Sequence, residues 1–339
     1  MQDKNPILVV VDPTIGEEQV VLKRAKTLAL ALGRDLELLI CYYDQYLGSE
    51  RFMGGADLAG LRDQMISILR RKLDDFAKPL VEAGIKVEVS VIWDQPLDES
   101  IVRFAKVVKP SIVLKETHYH SKISRAIFTH TDWNLIRHCP FPLWLAKSGE
   151  TDWNPTGDVV GSVDPVQEHD KPAVLDGIIL DHVQGLANSL GSTARVFHSW
   201  SHPIPTLADG VLMPAAYRGY EIEREIERQH KKALNRLVAN RGISDDQVHM
   251  IPGSTFEALP EFVDSHQVSL VVMGSVARGR VKRAIIGSTA ERVLPMLSCD
   301  LLIVKPDWVE QETQNVKPEI VNTSHEAELD KDLDEAFIV

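Results

Sequence analysis

Cysteine is scarce in this 339-residue chain: Cys41, Cys139 and Cys299 stand far apart and are odd in number. That excludes a disulfide framework and predicts a reducing, cytoplasmic compartment. Long apolar runs are also missing, so no membrane span is expected. The opening MQDKNPILVV lacks the charged-then-apolar pattern of a secretion signal. Basic charge is short as well, with 37 Lys and Arg against 49 Asp and Glu and a net charge of −12. Binding to nucleic acid through overall charge is thereby excluded.

What is present is the composition of a soluble globular protein, 44% apolar and 25% charged, long enough for two domains. The acidic excess is partly local. From Asp307 onward ten acids face two lysines without sustained periodicity, which predicts a solvated, disordered tail over 307–339.

Before that tail, strand-like and helix-like segments alternate twice. Ile7 to Asp12 reads as a buried strand ending in Asp12-Pro13. Val20, Ala25, Leu28 and Leu32 fall on one helical face, and Gly33 is a stop signal. Further strands are expected near 36–42, 87–92, 112–114 and 143–146, with helices near 58–83, 98–108 and 132–138. The order then repeats: Val159 to Val163 leads into Asp164-Pro165, followed by helix (173–190), strand (194–198), helix (217–240) and strand (248–251). Ser254 and Glu257 have capping-box spacing for the next helix. Such alternation predicts two α/β domains, each a five-stranded parallel sheet flanked by helices. The expected boundaries are 1–149, 150–306 and the tail 307–339.

The duplication is visible residue by residue. Ser111–Lys147 lies on Ser269–Lys305 without a gap, with Ser, Val, the run Arg-Ala-Ile, Thr, Leu and the final Lys identical at matched places. In the second copy, a strand through Met273 stops at Gly274. A basic loop (Ala277-Arg278-Gly279-Arg280) then leads to Gly287-Ser288-Thr289, where an amphipathic helix is expected from Ala290, Val293, Leu294 and Leu297. Amides at a helix start, small hydroxyl residues and nearby cations suit an anion such as phosphate. The loop is not a Walker A motif, because no Lys-[Ser/Thr] follows the glycines.

With Gly274, position 277, Gly287 and Ser288 at the spacing G-x-x-G-x(9)-G-[ST], the second half resembles the universal stress protein family. The double unit resembles its tandem-domain UspE-type branch, over about residues 5–306. The resemblance implies two domains of the adenine-nucleotide-α-hydrolase-like fold, packed as an intramolecular pseudo-dimer. It also implies ATP or a related phosphorylated ligand in the second domain. Asp164 would lie near the adenosine part, and Met273, Gly274, Gly279, Gly287, Ser288 and Thr289 would surround the rest. Position 277 departs from the pattern, being Ala where glycine is expected; a methyl there obstructs close backbone approach. The alternative reading is that these glycines only shape a loop and Ser288 only caps a helix.

The first half has Glu116, Tyr119 and Thr129 where the second has Gly274, Ala277 and Gly287. A carboxylate and an aromatic ring in that loop are expected to exclude a triphosphate. The same stretch brings in His118 and His120, two residues apart and on one side of an extended segment. With a third ligand they would hold zinc; the alternative is two ordinary histidines. Trp200–Tyr217, apolar and with three prolines, reads either as a lid over an amphipathic ligand or as packing.

Two function classes follow. One is a non-catalytic stress-response protein that binds a nucleotide or other phosphorylated or amphipathic small molecule and signals by conformation to unknown protein partners. The other is a slow ATPase or nucleotide-transferring enzyme, with Arg278, Lys282 and Ser288 against phosphate. No general base or metal carboxylate stands beside those three in sequence, so no catalytic residue is assigned.

Overall fold

The computed structural model describes residues 5–16, 19–47, 58–120, 125–148, 153–166, 174–201, 215–275, 288–306 and 320–321. The elements run β1 (Ile7–Val10), α1 (Val20–Leu32), β2 (Leu36–Tyr42), α2 (Leu58–Glu82), β3 (Val87–Trp93), α3 (Leu97–Val108), β4 (Ile112–His120), β5 (Arg125–Ile127), α4 (His130–His138) and β6 (Leu143–Ser148). They continue β7 (Asp158–Ser162), α5 (Val174–Leu190), β8 (Ala194–Trp200), α6 (Ala215–Val238), β9 (Val248–Pro252), α7 (Thr255–Ser265), β10 (Val268–Gly274), α8 (Ser288–Val293), β11 (Asp300–Val304) and β12 (Ile320–Val321).

These form two compact units. In the first, parallel strands lie in the order β3-β2-β1-β4-β6; in the second, β9-β8-β7-β10-β11 are parallel in the matching order. In each unit the chain order reverses beside the first strand, between β1 and β4 and between β7 and β10. That reversal is where an open α/β sheet leaves a crevice at the carboxyl ends of its strands.

The apolar runs Ile7–Val10 of β1, Leu270–Met273 of β10 and Leu301–Val304 of β11 are buried, as expected where both faces of a sheet are covered. All four residues of β1 and all five of β11 are buried. Helix α1 lays Val21, Ala25, Leu28 and Ala29 against its sheet and ends at Gly33, which adopts the left-handed conformation expected of a C-terminal glycine. Helix α5 buries Leu175, Ile179, Leu180, Val183 and Leu186 in the second unit.

The two units seat their first helices by opposite distributions of volume. A Cβ on Gly161 of β7 would meet Val183 at 3.0 Å and Ile179 at 3.2 Å. Counted from the Asp-Pro turns, β1 has Val9 in place of Gly161. Counted from the first helical residue, α1 has Ala25 and Ala29 in place of Ile179 and Val183. Bulk on the strand in one unit is bulk on the helix in the other, which keeps the interior close-packed.

Three expectations need correction. Ser254 does not cap α7 through a capping box; its Oγ donates to Glu257 at 3.3 Å instead of accepting from the backbone. The helix after Gly287 is short: α8 ends at Val293 and Leu294–Met296 is a 3₁₀ turn, since Pro295 has no N–H to continue the ladder. Within the stretch expected to be a structureless tail, Ile320 and Val321 form β12, antiparallel to the edge strand β3 opposite Ile92 and Val91. The rest of that tail lies outside the described residues. Among the described residues no helix is long and apolar enough to cross a membrane, and the three cysteines are buried thiols outside any disulfide.

Candidate functional site

In the second unit the carboxyl ends of β7 and β10 bring together Asp164, Gly274 and the first turn of α5. Asp164 follows β7 and is held by its backbone N–H, which donates to the buried carboxylate of Asp176 at 3.3 Å. Met273 and Gly274 end β10, and the ladder continues one residue further, with Ser275 N–H donating to Val304 O at 2.9 Å. Gly274 has a packing reason to be glycine. A Cβ there would stand 2.5 Å from Leu175 Cδ2 and 2.8 Å from Cγ. The first turn of α5 is thereby packed against the end of β10.

Gly279 and Gly287, with Ala277, lie outside the described residues. Ser288 and Thr289 open α8, and their side chains are likewise outside the description. The structure therefore joins Asp164, Met273 and Gly274 at one end of one sheet, with Ser288 and Thr289 described only as backbone of α8. The stretch 202–214, read as a lid or as packing, lies outside the described residues too.

The matching end of the first unit is filled by the protein's own groups. Glu116, in the place of Gly274, is buried, and its Oε2 accepts from Val21 N–H in the first turn of α1 at 3.4 Å. Val21 is the second residue of α1, as Leu175 is of α5. A carboxylate therefore occupies the helix start that in the second unit meets a leucine. Asp12, the counterpart of Asp164, accepts from Thr14 N–H at 2.8 Å and from its hydroxyl at 2.6 Å. Lys72 donates to Pro13 O at 2.6 Å and Ile15 O at 3.0 Å, so the loop after β1 is tied to α2.

The start of α4 is closed in the same way. Thr129, where the second unit has Gly287, forms a capping box with Asp132. Asp132 is fully buried; its Oδ2 accepts from Thr129 N–H at 2.8 Å and Thr129 Oγ1 at 2.9 Å. Its Oδ1 lacks a hydrogen bond of good direction but faces Lys115 Nζ at 2.8 Å, so the charge is paired. Its contacts make it a helix cap and an ion-pair partner.

His118 and His120 both belong to β4, whose alternation puts them on one face. Their side chains lie outside the described residues, and among the described residues no cluster of three or more His, Cys, Asp or Glu has the geometry to hold a metal.

Sequence reading missed a histidine pair beside Asp164. His198 of β8 is 1% exposed, and its Nδ1 lies 3.0 Å from Val163 O. Its Nε2 lies 2.7 Å from Nδ1 of His230, in the middle of α6. The only signal in the sequence is one imidazole at the end of a strand and another on an amphipathic helix, which no spacing rule connects. Elsewhere on α6 a shallow cleft of about 530 Å³ is walled by Arg228, Lys231, Lys232, Asn235, Arg236 and Ala239. None of these belongs to the candidate set, and cations toward a helix C-terminus complement its dipole.

Comparison with known proteins agrees with this architecture. Universal stress protein E of Escherichia coli K12 is 28% identical over 301 residues, covering 89% of this chain and 94% of its own. The Haemophilus influenzae homologue of that protein is 27% identical over 312 residues, covering 90% and 98%. A crystal structure of a functionally unknown Pseudomonas aeruginosa PAO1 protein superposes with a TM-score of 0.66 at 25% identity, covering 91% of this chain and 95% of that one. The sequence pattern of the universal stress protein family matches residues 4–147 and 176–305. With two tandem matches that together span most of its length, the chain belongs to the universal stress protein family.

Proposed function

We propose that the second unit binds a nucleotide or another phosphorylated or amphipathic small molecule at the carboxyl ends of β7 and β10, and that the protein acts by conformational signalling without catalysis. One observation carries this reading. The two units share a scaffold, yet the helix starts at the first unit's switch point are filled by Glu116 and Asp132, while the corresponding places in the second are Gly274 and Ala290. Internal carboxylates at a helix start do what a bound anion does. Gly274 and Ala290 bring no carboxylate to those places. The acids in the first turns of α5 and α8 are Asp176, which takes up the Asp164 N–H, and Glu291, which is exposed. The places that Glu116 and Asp132 fill in the first unit are therefore read here as the anion site.

Signalling requires a ligand that favours one of two conformations. Occupancy of the second unit would alter a partner surface. The enzyme reading asks for a general base or a metal carboxylate beside the phosphates. Asp176, the buried acid at this end, accepts from the Asp164 backbone, which is a positioning role.

Native mass spectrometry of gently purified full-length protein, with metal analysis and ATP calorimetry, tests the proposal. A retained nucleotide-like or lipid-like adduct, or measurable ATP affinity, is expected, with Gly287→Trp weakening it by about tenfold or more, about 1.4 kcal/mol. No adduct together with no affinity for ATP, ADP or AMP removes the ligand-binding reading. Turnover of ATP abolished by the same substitution replaces it with the enzyme reading. Zinc in stoichiometric amount, lost from the His118→Ala, His120→Ala double variant, would assign the metal to β4.

A further inference from the structure

The histidine pair has a hydrogen-bond order that can be worked out from its neighbours. Val163 O only accepts, so His198 donates to it from Nδ1. Neutral His198 then has a lone pair at Nε2, and His230 must donate to it from Nδ1 across 2.7 Å. The rings are stacked at 22° with centroids 5.0 Å apart, and the Trp200 ring lies 6.0 Å from His230. Each contact ties α6 to β8.

The same order fixes what protons do. A first proton goes to Nε2 of His230, which still donates from Nδ1, so the contact between the rings survives. A second proton must go to Nε2 of His198, placing two N–H groups against each other at 2.7 Å with two like charges. The pair then separates. We propose that His198 and His230 form a one-proton latch that fastens α6 to the end of β8 beside the candidate site and releases it when a second proton arrives.

The surroundings fit such a device. Among the described residues, Asp164 after β7 acts on both rings, and Asp176 on α5 acts on His198. These two carboxylates favour the singly charged pair. Burial outweighs them and lowers the pKa of both imidazoles below the ordinary histidine value, with His230 also opposing a charge on His198. The sign follows from linkage. A group with a depressed folded pKa stabilises the closed state above its free pKa of about 6.5, and that contribution is lost as pH falls through the folded value. Docking of α6 is therefore strongest at neutral and alkaline pH and weakens on acidification.

Amide hydrogen exchange across 222–238, corrected for intrinsic rates and referenced to α2 in the first unit, reads the latch without any ligand. In the full-length protein, exchange in this stretch should rise as pH falls below about 6.5, by up to about tenfold per pH unit for each proton that the open pair binds in excess of the closed one. Imidazole ¹⁵N shifts should show the folded pair accepting one proton. His230→Gln, whose amide donates to His198 but does not titrate, should keep α6 closed and flatten the pH dependence. His230→Leu, which has no donor, should raise exchange at every pH without a step. Exchange across 222–238 independent of pH in the parent protein overturns the latch. So do two rings that titrate separately near the ordinary value, or a pH dependence that persists in His230→Gln.

Discussion

Asp132→Ala should destabilise the first unit by about 3–5 kcal/mol, the range for removing one partner of a buried, hydrogen-bonded ion pair. The carboxylate accepts from the Thr129 N–H and hydroxyl at 2.8 and 2.9 Å and meets Lys115 Nζ at 2.8 Å. Its loss uncaps α4 and leaves a cation that is mostly screened from water, with the backbone oxygen of Glu116 at 3.1 Å as a remaining acceptor. Asp132→Asn keeps an acceptor for Thr129 but not the charge, and should fall between the two. Lys115→Met in the Asp132→Ala background should recover part of the loss, because it removes the orphaned charge. Denaturant unfolding of the four proteins measures this, with exchange in α4 and β4 localising it. A loss below about 1 kcal/mol for Asp132→Ala would mean that the pair is no more than a surface cap.

The same residue shows what sequence could and could not give. The fold was legible because its determinants are local and periodic: apolar β-branched runs for strands buried on both faces, one apolar stripe per helix, Gly33 as a stop. The duplication made each unit a check on the other. Side-chain roles were less legible, because they depend on which ends of which strands meet. Asp132 stands between His130 and His138 in sequence with no role legible there, and the fold turns it back onto Thr129 and across to Lys115. Ser254 and Glu257 have the spacing of a capping box, yet Thr129 and Asp132 form one. His198 and His230 are 32 residues apart and meet because α6 crosses β8. Gly274 was read as room for phosphate, and the contact with Leu175 adds a reason that lies in packing.

Those two reasons for glycine at 274 make different predictions. If packing selects it, Gly274→Ala destabilises the second unit by about 1–3 kcal/mol, the range for overpacking a filled interior. Its methyl would stand 2.5 Å from one Leu175 Cδ and 3.0 Å from the other, so the first turn of α5 must shift. Leu175 is 2% exposed, and Leu175→Ala by itself should cost about 2–5 kcal/mol through the cavity it leaves. The two together should cost less than their sum, because the new methyl enters the space the leucine vacates. A coupling of about 0.5–3 kcal/mol is expected between residues in direct contact. Glu116 gives this cycle its functional edge. Gly274→Glu installs in the second unit the carboxylate that the first already holds at the matching place. With Leu175→Ala making room, it should leave the unit folded while closing the α5 N-terminus to anions. Retention of an adduct by the parent and by Leu175→Ala, but not by the Gly274→Glu, Leu175→Ala pair, would show that charge at the helix start decides occupancy. Additive single-variant costs with unchanged retention would show that the Gly274 contact governs neither the seating of α5 nor the ligand.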